Sequence, residues 1–241
     1  MKLLDLSQPF DARTPRSSDH PAVTFKTIRH FAANGLVARE VSASLHSGTH
    51  VDAPSMVHPA GTTIEALPLD GFCGTGLVLD LSKLGAWGVI SADVLERVGK
   101  DLRPGDIAAF WCDWGKYYLT DEETYVLKSP GLDKSGADWL VDRKVKAVFS
   151  DTPSAEHIFM RSRQWKQLRP DIFDHARFDA ADFPPLYVHK RVLGAGIMLV
   201  EHLSEALGAL VGRRVTLMAL PVKYAGVEGA PTRAVAVLEW P

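Results

Sequence analysis

Short apolar segments separated by helix signals constrain the fold of this chain most strongly. The predicted core strands are residues 76–81 (GLVLDL), 106–112 (DIAAFWC) and 147–150 (AVFS). Between them, residues 91–98 have the pattern of a helix with Ser91 as its N-cap, and residues 135–141 predict a short helix. Strands and helices interspersed in this way predict an α/β domain, although their order alone does not fix how the strands connect.

Both ends of the chain carry further patterns. Residues 39–45 alternate between apolar and polar, which predicts a strand with one buried side formed by Val41, Ala43 and Leu45. Residues 8–22 are rich in Pro, Ser and Asp and predict a long loop. Toward the C-terminus, the predicted elements are a helix at 188–193, a strand at 197–200, a helix at 201–210, and strands at 214–220 and 234–239.

The composition excludes several classes of partner. The chain has 241 residues, of which 46% are hydrophobic, and this is enough for a sizeable core. It contains no repeat or linker, so we expect a single domain spanning residues 1–241. The formal net charge is -2, with both signs spread along the sequence. Nucleic acid and a membrane surface are therefore not expected as partners, and a small-molecule substrate is.

The cysteines and the N-terminus bear on the cellular compartment. Cys73 and Cys112 are too few for a disulfide framework, so we expect reduced core residues. Asp5 interrupts the apolar run that a signal peptide needs. No stretch approaches the ~20 apolar residues of a membrane helix. These features predict a cytoplasmic protein.

The stretch LHSGTHVDAP holds three potential metal ligands, His46, His50 and Asp52, within seven residues. If it is a strand, His50 and Asp52 share a face and lie ~7 Å apart between Cα atoms, which allows them to converge on one ion. His46 would then be ~13 Å from His50, unless Gly48 provides a bulge or bend. We therefore expect a kinked strand end or a loop. Imidazole and carboxylate together suit zinc or manganese, and the alternative is a surface loop that holds histidines by chance.

The same stretch resembles the H-x-G-T-H-x-D-x-P signature of the metal-dependent cyclase-family hydrolases, which include the bacterial kynurenine formamidases and the isatin hydrolases. The opening DLSQPF, the segment SDTPSAEH at 150–157 and the segment at 189–210 resemble further parts of that family. The resemblance therefore covers most of the chain. It implies a mixed, barrel-like β core of the swivelling β/β/α type, flanked by helices.

The resemblance also implies a two-metal site, with zinc as the usual metal and manganese in some members. His46, His50 and Asp52 would hold one ion, and Asp52, His189 and Glu201 would hold the second. In one straight helix, His189 and Glu201 would lie ~18 Å apart and ~120° out of phase. The chain must therefore reverse between them, and residues 194–196 (GAG) offer the turn.

The implied activity is that of a metal-dependent amidohydrolase that cleaves an amide, a formamide or a cyclic amide through a metal-activated water. An esterase or lactonase of the same family and a non-catalytic metal-binding paralogue remain as alternatives. The kynurenine formamidases carry a tryptophan in the N-terminal loop, where this chain reads SSDHPAV. This difference argues against N-formylkynurenine as the substrate. Family members are commonly oligomers, so we expect a homodimer or a larger homo-oligomer.

One position departs from the family signature, which has a histidine four residues after the aspartate as the general acid/base. Here that position is Met56, and the next histidine is His58. Methionine cannot carry a proton, so we predict that His58 takes the catalytic role, with an exposed loop histidine as the alternative. His20 and His30 are expected to be solvated.

Overall fold

The computed structural model of the protein describes residues 1–17, 20–161, 169–173 and 181–240. Within these residues the strands are β1 (Lys2–Asp5), β2 (Thr24–Arg29), β3 (Ala38–Ser42), β4 (His50–Asp52), β5 (Cys73–Asp80), β6 (Val89–Ile90), β7 (Ile107–Trp111), β8 (Gly131–Leu132), β9 (Ala147–Ser150), β10 (Met198–Glu201), β11 (Arg214–Pro221) and β12 (Gly229–Glu239). The helices are α1 (Phe31–Asn34), α2 (Ala92–Val98), α3 (Glu122–Leu127), α4 (Lys134–Asp142), α5 (Pro170–Phe173) and α6 (Tyr187–Gly194).

Seven strands close into a barrel. Their order is β12-β11-β5-β7-β9-β10-β4, and β4 pairs with β12 to complete the ring, while β1 adds to β12. The pairs β5–β7, β7–β9 and β9–β10 are parallel, and the other pairs of the ring are antiparallel. The prediction of an α/β domain with a mixed, barrel-like β core flanked by helices is confirmed.

The parallel strands are apolar on both faces because each face packs against a separate core. In β7, Ile107 and Ala109 pack inside the barrel, whereas Ala108 and Phe110 pack toward the helices. Helix α4 contacts both α2 and α6, so these three helices form one outer layer. The continuous apolar runs that predicted core strands are the result of this two-sided burial.

Most predicted elements are present, with ends that differ by a few residues. The strand predicted at 147–150 coincides with β9, and the predicted helix at 91–98 is α2, where the Ser91 hydroxyl accepts from the Val94 N–H at 3.4 Å. The helix predicted at 135–141 is α4, whose N-cap is Asp133. Local signals were sufficient for these elements because a cap and an apolar face lie within one short segment.

Two predictions were wrong. The helix predicted at 201–210 is a strand end followed by a 3-10 helix at Glu205–Leu210, because Glu201 is paired opposite His50 in the barrel. The strand predicted at 39–45 is β3, and among the described strands its one partner is β2. It has no buried side, and Val41 is 54% exposed. We refer to this two-stranded sheet, residues 24–42, as the hairpin.

The remaining sequence expectations concern loops and membranes. The described part of residues 8–22 contains no helix or strand, as predicted. Cys73 and Cys112 are free thiols. Across the described ranges, no helix has the length and apolar character needed to span a bilayer.

Candidate metal centre

Two neighbouring strands bring three of the predicted ligands to one face. His50 of β4 lies directly opposite Glu201 of β10, and Asp52 lies two residues further along β4. Their neighbours Val51 and Val200 point into the barrel. Because side chains alternate along a strand, His50, Asp52 and Glu201 all point the other way, toward the helix layer.

A bend at Gly48 brings the His46 side chain to the same face as these three side chains. Gly48 has φ +66°, and a Cβ there would lie 2.8 Å from the Phe10 side chain, so only glycine fits. The bend places His46 Nδ1 2.7 Å from Asp52 Oδ1. A Cβ at Gly229 of β12 would lie 2.8 Å from His46 Cε1, so a second glycine makes room for the imidazole. The bend at Gly48 that the sequence predicted is therefore present.

Helix α6 contributes His189 from the outer layer. His189 Nε2 lies 3.8 Å from Asp52 Oδ2 and 3.8 Å from Glu201 Oε1. Between His189 and Glu201 the chain turns at Gly196, which has φ +76°, and then enters β10. The predicted reversal is confirmed, and it brings these two residues together.

The five side chains form two ligand sets that share Asp52. In each set, His46–His50–Asp52 and Asp52–His189–Glu201, one ligand atom from every residue lies within 4.8 Å of those of the others. This is close to the spacing of ligands that share an ion through bonds of ~2 Å. The cluster of His, Asp and Glu is compatible with metal binding. That each of the five residues is a ligand stays a prediction.

The charges of the cluster also fit a cation. Burial tends to raise the pKa of Asp52, but the imidazoles of His50 and His46 outweigh it and hold that pKa well below its usual range. Burial and the Asp52 carboxylate raise the pKa of Glu201. Asp52 Oδ2 is buried and has no hydrogen-bond partner among the described residues. Two buried carboxylates with an unsatisfied oxygen form a site whose charge a divalent cation would neutralise.

The pKa values of the histidines also indicate a site that attracts positive charge. Burial tends to lower the pKa of His46, but Asp52 outweighs it and raises the pKa to about 9. Burial also tends to lower the pKa of His189, but the Glu156 carboxylate outweighs it and raises that pKa to about 9. The carboxylates therefore attract positive charge to this point, either as protons on the imidazoles or as a metal ion that replaces them.

Glu156 is a candidate functional residue that the sequence reasoning missed. Its Oε1 accepts from the Val188 N–H at 2.9 Å, and its Oε2 lies 3.2 Å from His189 Nδ1. A carboxylate on the far nitrogen of a metal-binding histidine fixes the orientation of the ring. Glu156 lies within the segment SDTPSAEH, which was noticed only as part of the family resemblance.

Comparison with known proteins agrees with this geometry. The Cyclase family model matches residues 4–157. The chain belongs to the Cyclase family.

The kynurenine formamidase of Salinibacter ruber is 29% identical over 247 residues, which cover 98% of this chain and 97% of that protein. Two solved isatin hydrolase structures share the fold at 20% identity. The first is isatin hydrolase A from Labrenzia aggregata bound to benzyl benzoate, with a TM-score of 0.79 over 98% of this chain and 93% of the other. The second is an isatin hydrolase bound to the product analogue thioisatinate, with a TM-score of 0.79 over 98% of this chain and 91% of the other.

In this Cyclase-family chain, the cluster lines a cavity of about 160 Å³. The cavity lies beside the carboxyl ends of the parallel strands, the usual place for a ligand in α/β folds. Besides the cluster and Glu156, its walls are formed by Pro15, Arg16, Ser17, His20, Met56, Val126, Pro153, Ser154, Arg161, Leu186 and His202. His20, which was expected to be solvated, is half-buried and lines the cavity, with its ring centroid 6.0 Å from that of His46. His30 is exposed, as expected.

The structure does not bring His58 to the cavity. Its Nε2 lies 2.9 Å from the Lys190 carbonyl oxygen, and its ring packs against Gly194. Met56, which stands where the Cyclase-family signature has a histidine, lines the cavity instead. The catalytic role of His58 stays a prediction.

Proposed function

We propose that this chain is a metal-dependent amidohydrolase that cleaves the C–N bond of an amide, a formamide or a cyclic amide such as a lactam or an imide. The observation that carries the proposal is the pair of ligand sets that share Asp52 and line one cavity. The family membership supports it, and so do the names of two relatives, kynurenine formamidase and isatin hydrolase.

Each part of the site has a role in this proposal. Zinc or manganese, two ions per subunit, would be held by the five cluster residues and would supply Lewis-acid activation of water and of the substrate carbonyl. Glu156 orients His189, and Met56, Val126 and Leu186 contribute apolar side chains to the cavity lining. Arg16 and Arg161 place positive charge along the cavity.

The test combines metal analysis with a substrate panel. The purified protein is assayed on an aryl formamide, isatin, a simple anilide, an aryl ester and a lactone, before and after chelation and after addition of zinc or manganese. We expect turnover of a formamide or a lactam that disappears on chelation and returns with the metal. A metal-replete protein with no turnover of any panel member would contradict the proposal and favour a non-catalytic metal-binding protein.

The panel also tests the closest alternative, an esterase or lactonase that uses the same site. An ester has a better leaving group than an amide, so an amidohydrolase can show side activity on esters. The comparison is therefore between values of kcat/KM relative to uncatalysed hydrolysis of each bond. A larger rate enhancement for the lactone or the ester than for every amide would favour the alternative.

A further inference from the structure

His202 follows the ligand Glu201 and is held in a strained backbone conformation. Its φ is +59°, a region that a histidine seldom adopts. Its N–H donates to the Thr152 carbonyl at 3.0 Å, and its own carbonyl accepts from the Thr49 hydroxyl at 2.7 Å. Strain that the surroundings maintain in this way is concentrated at functional sites.

The side chain of His202 faces the same cavity but belongs to neither ligand set. Its ring centroid lies 5.5 Å from that of His50, and the residue is 5% exposed. It is therefore an imidazole beside the candidate metal centre that the ligand arrangement leaves unused.

Tyr125 determines which ring nitrogen of His202 carries the hydrogen. The Tyr125 hydroxyl lies 3.0 Å from His202 Nδ1, and the tyrosine is fully buried. Across the described ranges, this nitrogen is the one hydrogen-bond partner that the hydroxyl has. A buried phenol needs an acceptor for its hydrogen. The hydroxyl therefore donates to Nδ1, and the hydrogen of the neutral ring lies on Nε2.

Tyr125 occupies Nδ1, so Nε2 is the ring nitrogen that remains for a molecule in the cavity that His202 lines. In the described part of the chain, Nε2 has no hydrogen-bond partner. The ring thus offers one N–H donor, on the nitrogen that Tyr125 does not engage, in a cavity wall beside the ligand cluster.

We propose that the Nε2–H of His202 donates a hydrogen bond to the carbonyl oxygen of the substrate as negative charge develops on it, and that Tyr125 is the positioning residue that presents this donor. The proposal rests on the proposed function, because it requires a carbonyl substrate. His202 neither gains nor loses a proton in this role. A fixed donor aimed at a developing oxyanion, in a site shielded from water, stabilises the transition state more than the ground state.

The first experiment reads the tautomer directly, in the metal-free protein. Nitrogen-15 NMR with labelled histidine distinguishes the two neutral tautomers, and the spectrum of His202→Asn assigns the His202 signals. We expect the Nε2–H tautomer in the wild-type protein. We also expect a mixture of tautomers in Tyr125→Phe, which removes only the hydroxyl. An Nδ1–H tautomer in the wild type would overturn the proposal, whether or not the protein hydrolyses amides.

The second experiment measures turnover. His202→Asn accepts the left-handed backbone, but its amide is too short to reach the position of Nε2. We expect kcat to fall ~10²–10³-fold, with the metal content and KM little changed. His202→Gln, whose amide nitrogen can reach that position, should recover part of the loss, and Tyr125→Phe should give a smaller loss than His202→Asn.

His30→Asn is the matched control, because His30 is exposed and lies outside the cavity. Its kcat should equal that of the wild type. A His202→Asn protein with full metal and unchanged kcat would overturn the proposal. Loss of metal in parallel with activity would overturn it as well, because the ring would then support the ligands. Wild-type turnover tests the proposed function separately and does not depend on these variants.

Discussion

His157 should make the folded protein sensitive to acid through a group that lies outside the cavity wall. Its ring is fully buried, with Nε2 3.1 Å from the Trp87 carbonyl and Nδ1 accepting from the Phe159 N–H at 3.4 Å. Both contacts suit a neutral imidazole with its hydrogen on Nε2. Burial lowers the pKa of His157 from 6.5 to about 4.

The direction of the effect follows from this lowered pKa. Above pH 6.5 the ring is neutral in the folded and unfolded states alike and contributes no pH dependence. Between pH 6.5 and about 4 the unfolded chain binds a proton that the folded chain does not, so the free energy of unfolding falls as the pH falls. Each pKa unit corresponds to about 1.4 kcal/mol, so the full loss is about 3 kcal/mol.

The assay compares wild type with His157→Gln by urea unfolding at constant protein concentration, with the metal removed by a chelator. Glutamine can keep the hydrogen bond to the Trp87 carbonyl and does not titrate. Other groups that titrate in this range are common to both proteins and cancel in the difference. We expect the stability of the variant relative to wild type to improve by about 3 kcal/mol between pH 7 and pH 4. Parallel curves over this range would refute the reasoning.

Three further predictions concern the site and the assembly. Asp52→Ala should lower metal content more than any other ligand substitution, since Asp52 belongs to both ligand sets, and full occupancy by metal analysis would contradict the assignment. If His58 is the acid/base, His58→Ala should keep its metal and lose ~10²–10⁴-fold in kcat, whereas an unchanged kcat would remove the role. The hairpin exposes Ile28 and Val41 by 53% and 54%, and an isolated two-stranded sheet is only marginally stable. We therefore expect a homodimer or a larger homo-oligomer that covers these side chains, which light scattering of Ile28→Ser/Val41→Ser against wild type would test.

The sequence was most informative where the determinants are close together in the chain. His46, Gly48 and His50 lie within five residues, so a shared ion favoured a bend between the two histidines, and glycine was the residue able to provide it. For His189 and Glu201, one straight helix was excluded because it would place the two side chains too far apart to share a metal cluster. In both cases, local geometry together with the family resemblance was sufficient.

Features that depend on partners distant in the chain were missed. The alternation in residues 39–45 correctly indicated a strand, but alternation does not reveal whether anything packs against its apolar side. Glu156 acquires its role only when α6 places Val188 and His189 against it, 32 and 33 residues further on. No spacing rule at that distance distinguishes an orienting carboxylate from an exposed one.

The adjacent pair Glu201 and His202 shows most clearly why the catalytic surroundings could not be read from the sequence. In a continuing strand, neighbouring side chains point to opposite faces, so His202 would point away from the face that carries Glu201. The strand ends at Glu201, however, and the left-handed backbone of His202 changes the direction of the next side chain. Both residues then line one cavity. The bonds that hold this conformation come from Thr49 and Thr152, each of which lies at least fifty residues away in the chain. A second side chain thus reaches the cavity from one strand end through tertiary contacts that override the local periodicity.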